Sequence, residues 1–241
     1  MRNLRKTDTK APKNADRDKL ELKTDELHEQ LLNLQYGLYK LKEHSVLIVL
    51  QGLDAAGKDS TIRSVFSGVN PQGTFVKSWK VPTEEEFSHD FLWRIHEHVP
   101  SKGMIHIFNR SHYEDVIVPQ INKTLSSKRI NERYDFINFF EKLLKEENNT
   151  IIIKFFLHIS QDKQREKLEE RIYNPEKRWK HNPKDMEVNL RWNDYIKVYE
   201  KIIDKTEEEF PWHIVPADNK WYRNYLIANT LVKELKKKVK M

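Results

Sequence analysis

Residues 45–60, SVLIVLQGLDAAGKDS, run a short apolar stretch straight into a glycine-bearing loop and on into a polar segment. The apolar part has the length and branching of a central parallel strand. Gly52, four intervening residues, Gly57 and Lys58 then match the phosphate-loop pattern. Such a loop turns its backbone amides toward one anion and hands the chain to a helix whose positive end faces the same point. A strand, loop and helix in that order commit this region to an α/β fold.

The rest of the chain keeps the same rhythm. Leu27, Leu31, Leu34, Leu38 and Leu41 recur at three- and four-residue intervals, which predicts a helix over 26–44 with one buried face. Apolar runs predict strands over 45–50, 74–81, 104–108, 150–157 and 212–217. Helices are expected at about 58–69, 84–98, 111–120, 130–147, 160–173, 185–206 and 220–239. This alternation predicts a parallel sheet with helices on both faces. Ligands of such sheets bind beyond the C-terminal ends of the strands, here Gly52, Asn109, His158 and Pro216. Residues 1–20 read as a mobile polar arm. Residues 21–241 read as one domain, with a basic lid at about 160–185.

Composition narrows the chemistry. The chain has no cysteine, which excludes disulfides, thiolate metal sites and cysteine nucleophiles. No apolar run reaches the roughly 18 residues a membrane helix needs. The N-terminus lacks the apolar core of a secretory signal. A cytoplasmic protein without a membrane partner is expected. Its 43 Lys and Arg against 37 Asp and Glu leave a net charge of +6, which suits an anionic ligand.

Two carboxylates complicate the loop. Asp59 stands where such loops usually carry a Ser or Thr metal ligand, and Ser60 follows one residue late. Asp59 is either a favourable charge in a first helical turn or part of the site. Asp54 lies inside the loop, where a carboxylate repels phosphate unless something intervenes. Mg²⁺ held by Asp54 would intervene. Alternatively, Asp54 orients or deprotonates an attacking oxygen.

Further cations surround the loop in sequence. Arg110, after the strand at 104–108, can clamp phosphate with two parallel hydrogen bonds. Asn109 beside it is at most a neutral ligand, and Ser111 and Glu114 have capping-box spacing. Thr83 and Glu86 share that spacing. Lys80 either points into the phosphate channel or is solvated. In the segment KQREKLEERIYNPEKRWKHNPKD, Lys163, Lys167 and Arg171 share a helix face. Pro175 then breaks the helix, and Lys177, Arg178, Lys180 and Lys184 surround Trp179. A cationic lid of this kind closes over phosphates and excludes water.

The segments GLDAAGKDS, NPQGTFVKSWKVPTEEE, FNRSHYED, RIYNPEKRWKHNPKDMEVNLRWNDY and WHIVPADNK, in this order over roughly residues 45–235, resemble the polyphosphate kinase 2 family. The resemblance implies a thymidylate kinase-like (P-loop kinase-like) fold, a five-stranded parallel sheet with a helical lid. It implies reversible phosphoryl transfer between inorganic polyphosphate and nucleotides with Mg²⁺. Asp54, Lys58 and Arg110 fall on catalytic positions. Gly52, Ala55, Ala56, Gly57, Asp59, Ser60, Lys80, Arg171, Lys177, Arg178 and Lys180 are the expected phosphate-binding set. Asn109-Arg110-Ser111 followed by His-Tyr-Glu-Asp resembles the class acting on both nucleoside mono- and diphosphates, in which Glu114 is linked to nucleotide choice. The partners so implied are polyphosphate, AMP and ADP, with GMP and GDP as further acceptors, and a second copy of the chain in a homo-oligomer. Nucleic acid is not among them. Two other readings share the loop and lid: an ATP-dependent nucleotide kinase, and a non-catalytic module that binds a polyanion.

Overall fold

β1 (Ser45–Gln51) is buried along its whole length, as its unbroken apolar run requires. It pairs in parallel with β3 (Ile105–Asn109) on one side and β4 (Thr150–His158) on the other. β2 (Thr74–Ser78) and β5 (Trp212–Pro216) form the edges, so the order is β2-β3-β1-β4-β5, all parallel. The computed structural model describes residues 3–239 of the protein. Among them, no helix is long and apolar enough to cross a membrane.

Helices cover both faces of the sheet. α1 (Arg17–Leu41), α2 (Lys58–Val65) and α10 (Lys220–Lys236) pack together on one face. α1 buries Leu27, Leu31, Leu34 and Leu38. It begins earlier than the leucine spacing indicates, because the Asp16 side chain accepts from the Lys19 amide and caps it. α5 (Glu114–Asn122), α6 (Ser127–Asn148) and α9 (Trp192–Thr206) occupy the other face.

Two expected helices are broken. The stretch 84–98 is α3 (Glu84–Ser88) and α4 (Trp93–His96). Thr83 and Glu86 do form a capping box. Asp90 then turns the chain by accepting from the Leu92 amide. The stretch 185–206 is α8 (Pro183–Leu190) and α9, split at Arg191, whose guanidinium donates to the Ile121 carbonyl 2.8 Å away. Ser111 and Glu114 form no capping box. The Ser111 hydroxyl accepts from the Tyr113 amide, and Glu114 turns toward Arg110.

The N-terminal segment is not a free arm. Leu4 is fully buried; its amide donates to Glu200 Oε1 and its carbonyl accepts from His158 Nε2. Farther on, Thr9 donates to Asp218 and the Ala11 amide donates to Asn219 Oδ1. The segment is thus strapped over the ends of β4 and β5, because one leucine and several backbone groups find partners there. Residues 17–20 already belong to α1. Residues 1 and 2 lie outside the described residues.

One strand carries a charge into the core. Lys154 of β4 is fully buried and donates to Glu141 Oε2 at 2.7 Å, the Tyr113 hydroxyl at 3.0 Å and the Thr206 carbonyl at 2.7 Å. Glu141 also accepts from Tyr113 and bonds His112. Burial pushes the Glu141 carboxyl up, but Lys154 and His112 outweigh it and hold the group below its ordinary value.

Candidate active site at the phosphate loop

The loop after β1 curls by backbone geometry that its sequence permits. Gly57 has φ of 101° and Ala55 of 62°. These left-handed residues alternate with ordinary ones and form a concavity of the kind that binds anions. Lys58 folds back over the loop, with Nζ 2.7 Å from the Gly52 carbonyl and 3.1 Å from that of Leu53. Burial, and then the charge of Arg110, lower its pKa below the ordinary lysine value.

β3 delivers the next group. Asn109 lies opposite Leu50 of β1, and the Arg110 amide donates to the Leu50 carbonyl. Arg110 itself is left-handed, with φ of 65°, and this throws its side chain across the loop. Its Nη2 meets Asp54 Oδ1 at 2.5 Å, and its Nη1 lies 3.4 Å from Glu114 Oε2. Burial raises the Glu114 pKa against the pull of Arg110 and Lys58. Asn109 donates to Asp59 Oδ1 at 2.7 Å and to Ser78 Oγ at 3.2 Å. The neutral Asn109 therefore aims a carboxylate.

The lid closes the far side. α7 (Gln161–Tyr173) is capped by Ser160, and a short turn at Arg178–Lys180 leads on to α8. At its base, Gln164 donates to the Asp54 carbonyl and Lys167 Nζ lies 3.3 Å from that of Ala55. Arg171 is held by Asp185, and Lys177 by Glu170. Lys180 comes within 3.9 Å of Asp59, so lid and loop meet through a charge pair.

Together these groups wall a cleft of about 500 Å³. Asp54, Ala55, Gly57, Lys58, Asp59, Ser60, Asn109, Arg110, Arg171, Lys177 and Lys180 all line it. Gly52 and Ala56 support the loop from behind: a Cβ at Gly52 would stand 2.8 Å from the Leu157 carbonyl, and Ala56 is fully buried. Arg178 is exposed and does not line the cleft. Lys80 does not enter it either. Lys80 lines a neighbouring hollow of about 830 Å³, because the chain turns away after Trp79 and the Lys80 carbonyl is fixed by Arg94. Glu114 faces that second hollow, and Trp79 and Arg110 border both.

Two cations stand outside the expected phosphate-binding set: Lys167, which shares the lid-helix face with Arg171, and Arg223. Lys167 lines the cleft; burial first, then Arg223 and Lys163, lower its pKa to about 8. Arg223 of α10 lies behind the loop. Its only signal is positional: Arg223 falls four residues before Ile227, at the head of a buried stripe continuing through Leu231 and Leu235.

Magnesium would fit a limited place here. Among the described residues, no three His, Cys, Asp or Glu side chains converge. Mg²⁺ characteristically takes one or two carboxylates and completes its shell with water and phosphate oxygens. Asp54 and Asp59 are two hard-oxygen donors on one cleft, and that chemistry suits the ion.

The chain resembles known proteins throughout this architecture. The family model described as Polyphosphate kinase 2 matches residues 14–241. An AMP/ADP-polyphosphate phosphotransferase of Meiothermus ruber is 50% identical over 210 residues, covering 87% of this chain and 78% of the relative. An ADP-polyphosphate phosphotransferase of Rhodopseudomonas palustris is 42% identical over 226 residues, covering 88% and 78%. The crystal structure of polyphosphate kinase 2 from Arthrobacter aurescens TC1 superposes with a TM-score of 0.94 at 33% identity, covering 99% of this chain and 87% of that one. With the loop, the arginine after β3 and the basic lid in one cleft, and a family model that spans nearly the whole sequence, the chain belongs to the polyphosphate kinase 2 family.

Proposed function

We propose that this protein transfers the terminal phosphoryl group of inorganic polyphosphate to AMP and ADP, reversibly, with GMP and GDP as further acceptors. The observation that carries this reading is the pair of adjoining hollows. One is walled by cations and loop amides. The other offers aromatic and aliphatic surface from Phe87, Phe91 and Val118 with the polar Glu114 and Arg133. A phosphate chain suits the first and a nucleoside suits the second. Arg110 and Trp79 stand between them, where a phosphoryl group would pass.

The transfer needs no strong base. A phosphate oxygen of AMP or ADP is already ionised near neutral pH. It bonds to the terminal phosphorus of the polyphosphate, the bond from that phosphorus to the bridging oxygen breaks, and the bridging oxygen stays with the shortened chain as its new terminus. The protein's task is alignment and charge neutralisation. Lys58, Lys167, Arg171, Lys177 and Lys180 balance the donor chain, and Arg110 sits beside the transferring group. Asp54 fixes the Arg110 fork. Mg²⁺, held by Asp54 with Asp59 nearby, would supply further charge neutralisation to the phosphate oxygens when bound. A cytoplasmic location and a homo-oligomeric state complete the reading.

The test is direct. Purified protein, Mg²⁺, polyphosphate and AMP are mixed without ATP, and products are separated by chromatography. ADP followed by ATP supports the reading, and loss of both on chelation supports the metal. No product with AMP or ADP, or activity only with ATP as donor, would overturn it.

A further inference from the structure

Arg223 is only 1% exposed, yet it points at the phosphate loop from behind. Its Nη1 donates to the Ala56 carbonyl at 3.2 Å, and its Nη2 donates to Ser60 Oγ at 2.9 Å. Nε and Nη2 both reach Asn224 Oδ1, at 3.3 and 3.1 Å. These acceptors are all neutral. Among the described residues, no carboxylate pairs with Arg223, and burial alone lowers its pKa, to about 10.

A buried cation ordinarily sits against a carboxylate, because an unpaired charge out of water is costly. Here the fold does the opposite. It brings Lys58 onto the same loop, and Arg223 depresses the charge of Lys167 in turn. The loop is also shaped to admit the guanidinium. A Cβ at Gly57 would stand 2.0 Å from Arg223 Nη1, so the glycine makes room for the arginine as well as for its own left-handed backbone. Among the described residues an internal anionic partner is lacking, and Ser60, which Arg223 holds, lines the cleft in front of the loop.

We propose that Arg223 is a positioning residue for the phosphate chain: it braces the Ala56 and Ser60 ends of the loop, and its charge is neutralised by a phosphate chain seated in front. The proposal rests on the polyphosphate reading above. Arg223 touches loop atoms and not substrate, so its field acts through the loop in a low-dielectric wall. Its planar fork fits two acceptors at once, which a lysine ammonium does not reproduce.

The experiment uses the full chain as wild type, Arg223→Gln and Arg223→Lys. Thermal melts are recorded with and without inorganic polyphosphate, in the absence of nucleotide, and are followed by steady-state kinetics in each substrate. Removing an uncompensated charge should leave the ligand-free melting temperature of Arg223→Gln within about 3 °C of wild type or above it. The polyphosphate-induced rise should shrink by more than about half, and KM for polyphosphate should increase about tenfold. KM for ADP should change less than about twofold. Arg223→Lys should keep most of the polyphosphate-induced rise and lose kcat, because charge survives and the brace does not. An unchanged rise and an unchanged polyphosphate KM in Arg223→Gln would overturn the proposal. So would a loss of ligand-free stability with both KM values rising together, the signature of a brace alone. If Arg223→Gln does not fold, Arg223→Lys decides, and loss of its polyphosphate-induced rise overturns the proposal. A wild type that uses only ATP as donor would sink the polyphosphate reading. The melts repeated with ATP would then still show whether Arg223 answers to a phosphate chain.

Discussion

The Arg110 guanidinium and the Asp54 carboxylate face each other at 2.5 Å across the mouth of the phosphate loop, joining the ends of β3 and β1. This pair explains why a loop built for anions tolerates a carboxylate. With phosphate bound as proposed, Asp54 would hold with one oxygen a cation that is otherwise free to collapse onto phosphate. Asp54→Asn keeps the shape and removes the charge. Turnover should fall by about a hundredfold or more, with the melting temperature within about 3 °C of wild type. Single-turnover rates alongside a thermal melt check both halves, and a near-normal rate would remove Asp54 from the mechanism.

Lys167 sets a pH dependence. Its folded pKa of about 8 lies below the ordinary lysine value of 10.5. Bound phosphate should raise it, so binding takes up a proton near pH 8 to 9. KM for polyphosphate should therefore climb as pH rises through about 8, and Lys167→Met should flatten that climb. The stability sign is also fixed. A depressed folded pKa favours the fold fully above pH 10.5, and that contribution is lost as pH falls toward 8. Ligand-free Lys167→Met should then melt higher than wild type at pH 7, with the gain shrinking toward pH 10. The two profiles measured on one preparation check it.

Gly57→Ala meets two obstacles together. The backbone is left-handed at φ of 101°, and the new Cβ would land on the Arg223 guanidinium. Backbone strain of this kind costs about 1–3 kcal/mol before any loss of Arg223 contacts. Chemical denaturation should show at least that loss, and activity should fall with it as the loop amides turn away from their focus. Normal activity would show that the loop does not need this conformation.

The buried Lys154–Glu141 pair predicts an asymmetry in stability. Glu141→Gln or Lys154→Met alone leaves a charge without its partner in the core and should cost about 3–5 kcal/mol. The double variant should cost less than the sum of the two, and a double-mutant cycle by denaturation measures the difference. Tyr113 and His112 share this cluster and lie next to Glu114, so the single variants should also disturb the second hollow. A rise in nucleotide KM would register that.

The linear sequence was enough for the sheet, the glycine-bearing loop after β1 and the two helices around a basic turn. Each of these is local: an apolar run of strand length, two glycines at fixed spacing, and lysines and arginines clustered around a helix break at Pro175. Local chemistry also sufficed for the Thr83–Glu86 capping box. It misled at Ser111–Glu114, where the spacing is right but Arg110 competes for the carboxylate. It misled again at the N-terminus, where a single leucine among polar residues finds a buried slot beside β4 and α9. Lys80 and Arg178 look like their cationic neighbours in sequence. Their exclusion from the cleft comes from the direction in which the chain leaves β2 and crosses the lid. Arg223 lies 163 residues from Ser60, and no spacing rule links them. Only the packing of α10 against the loop brings its charge to Ala56 and Ser60. Short-range periodicity and turn chemistry are written in consecutive residues, whereas the pairing of distant charges exists only once the sheet has ordered its strands and the helices have closed over them.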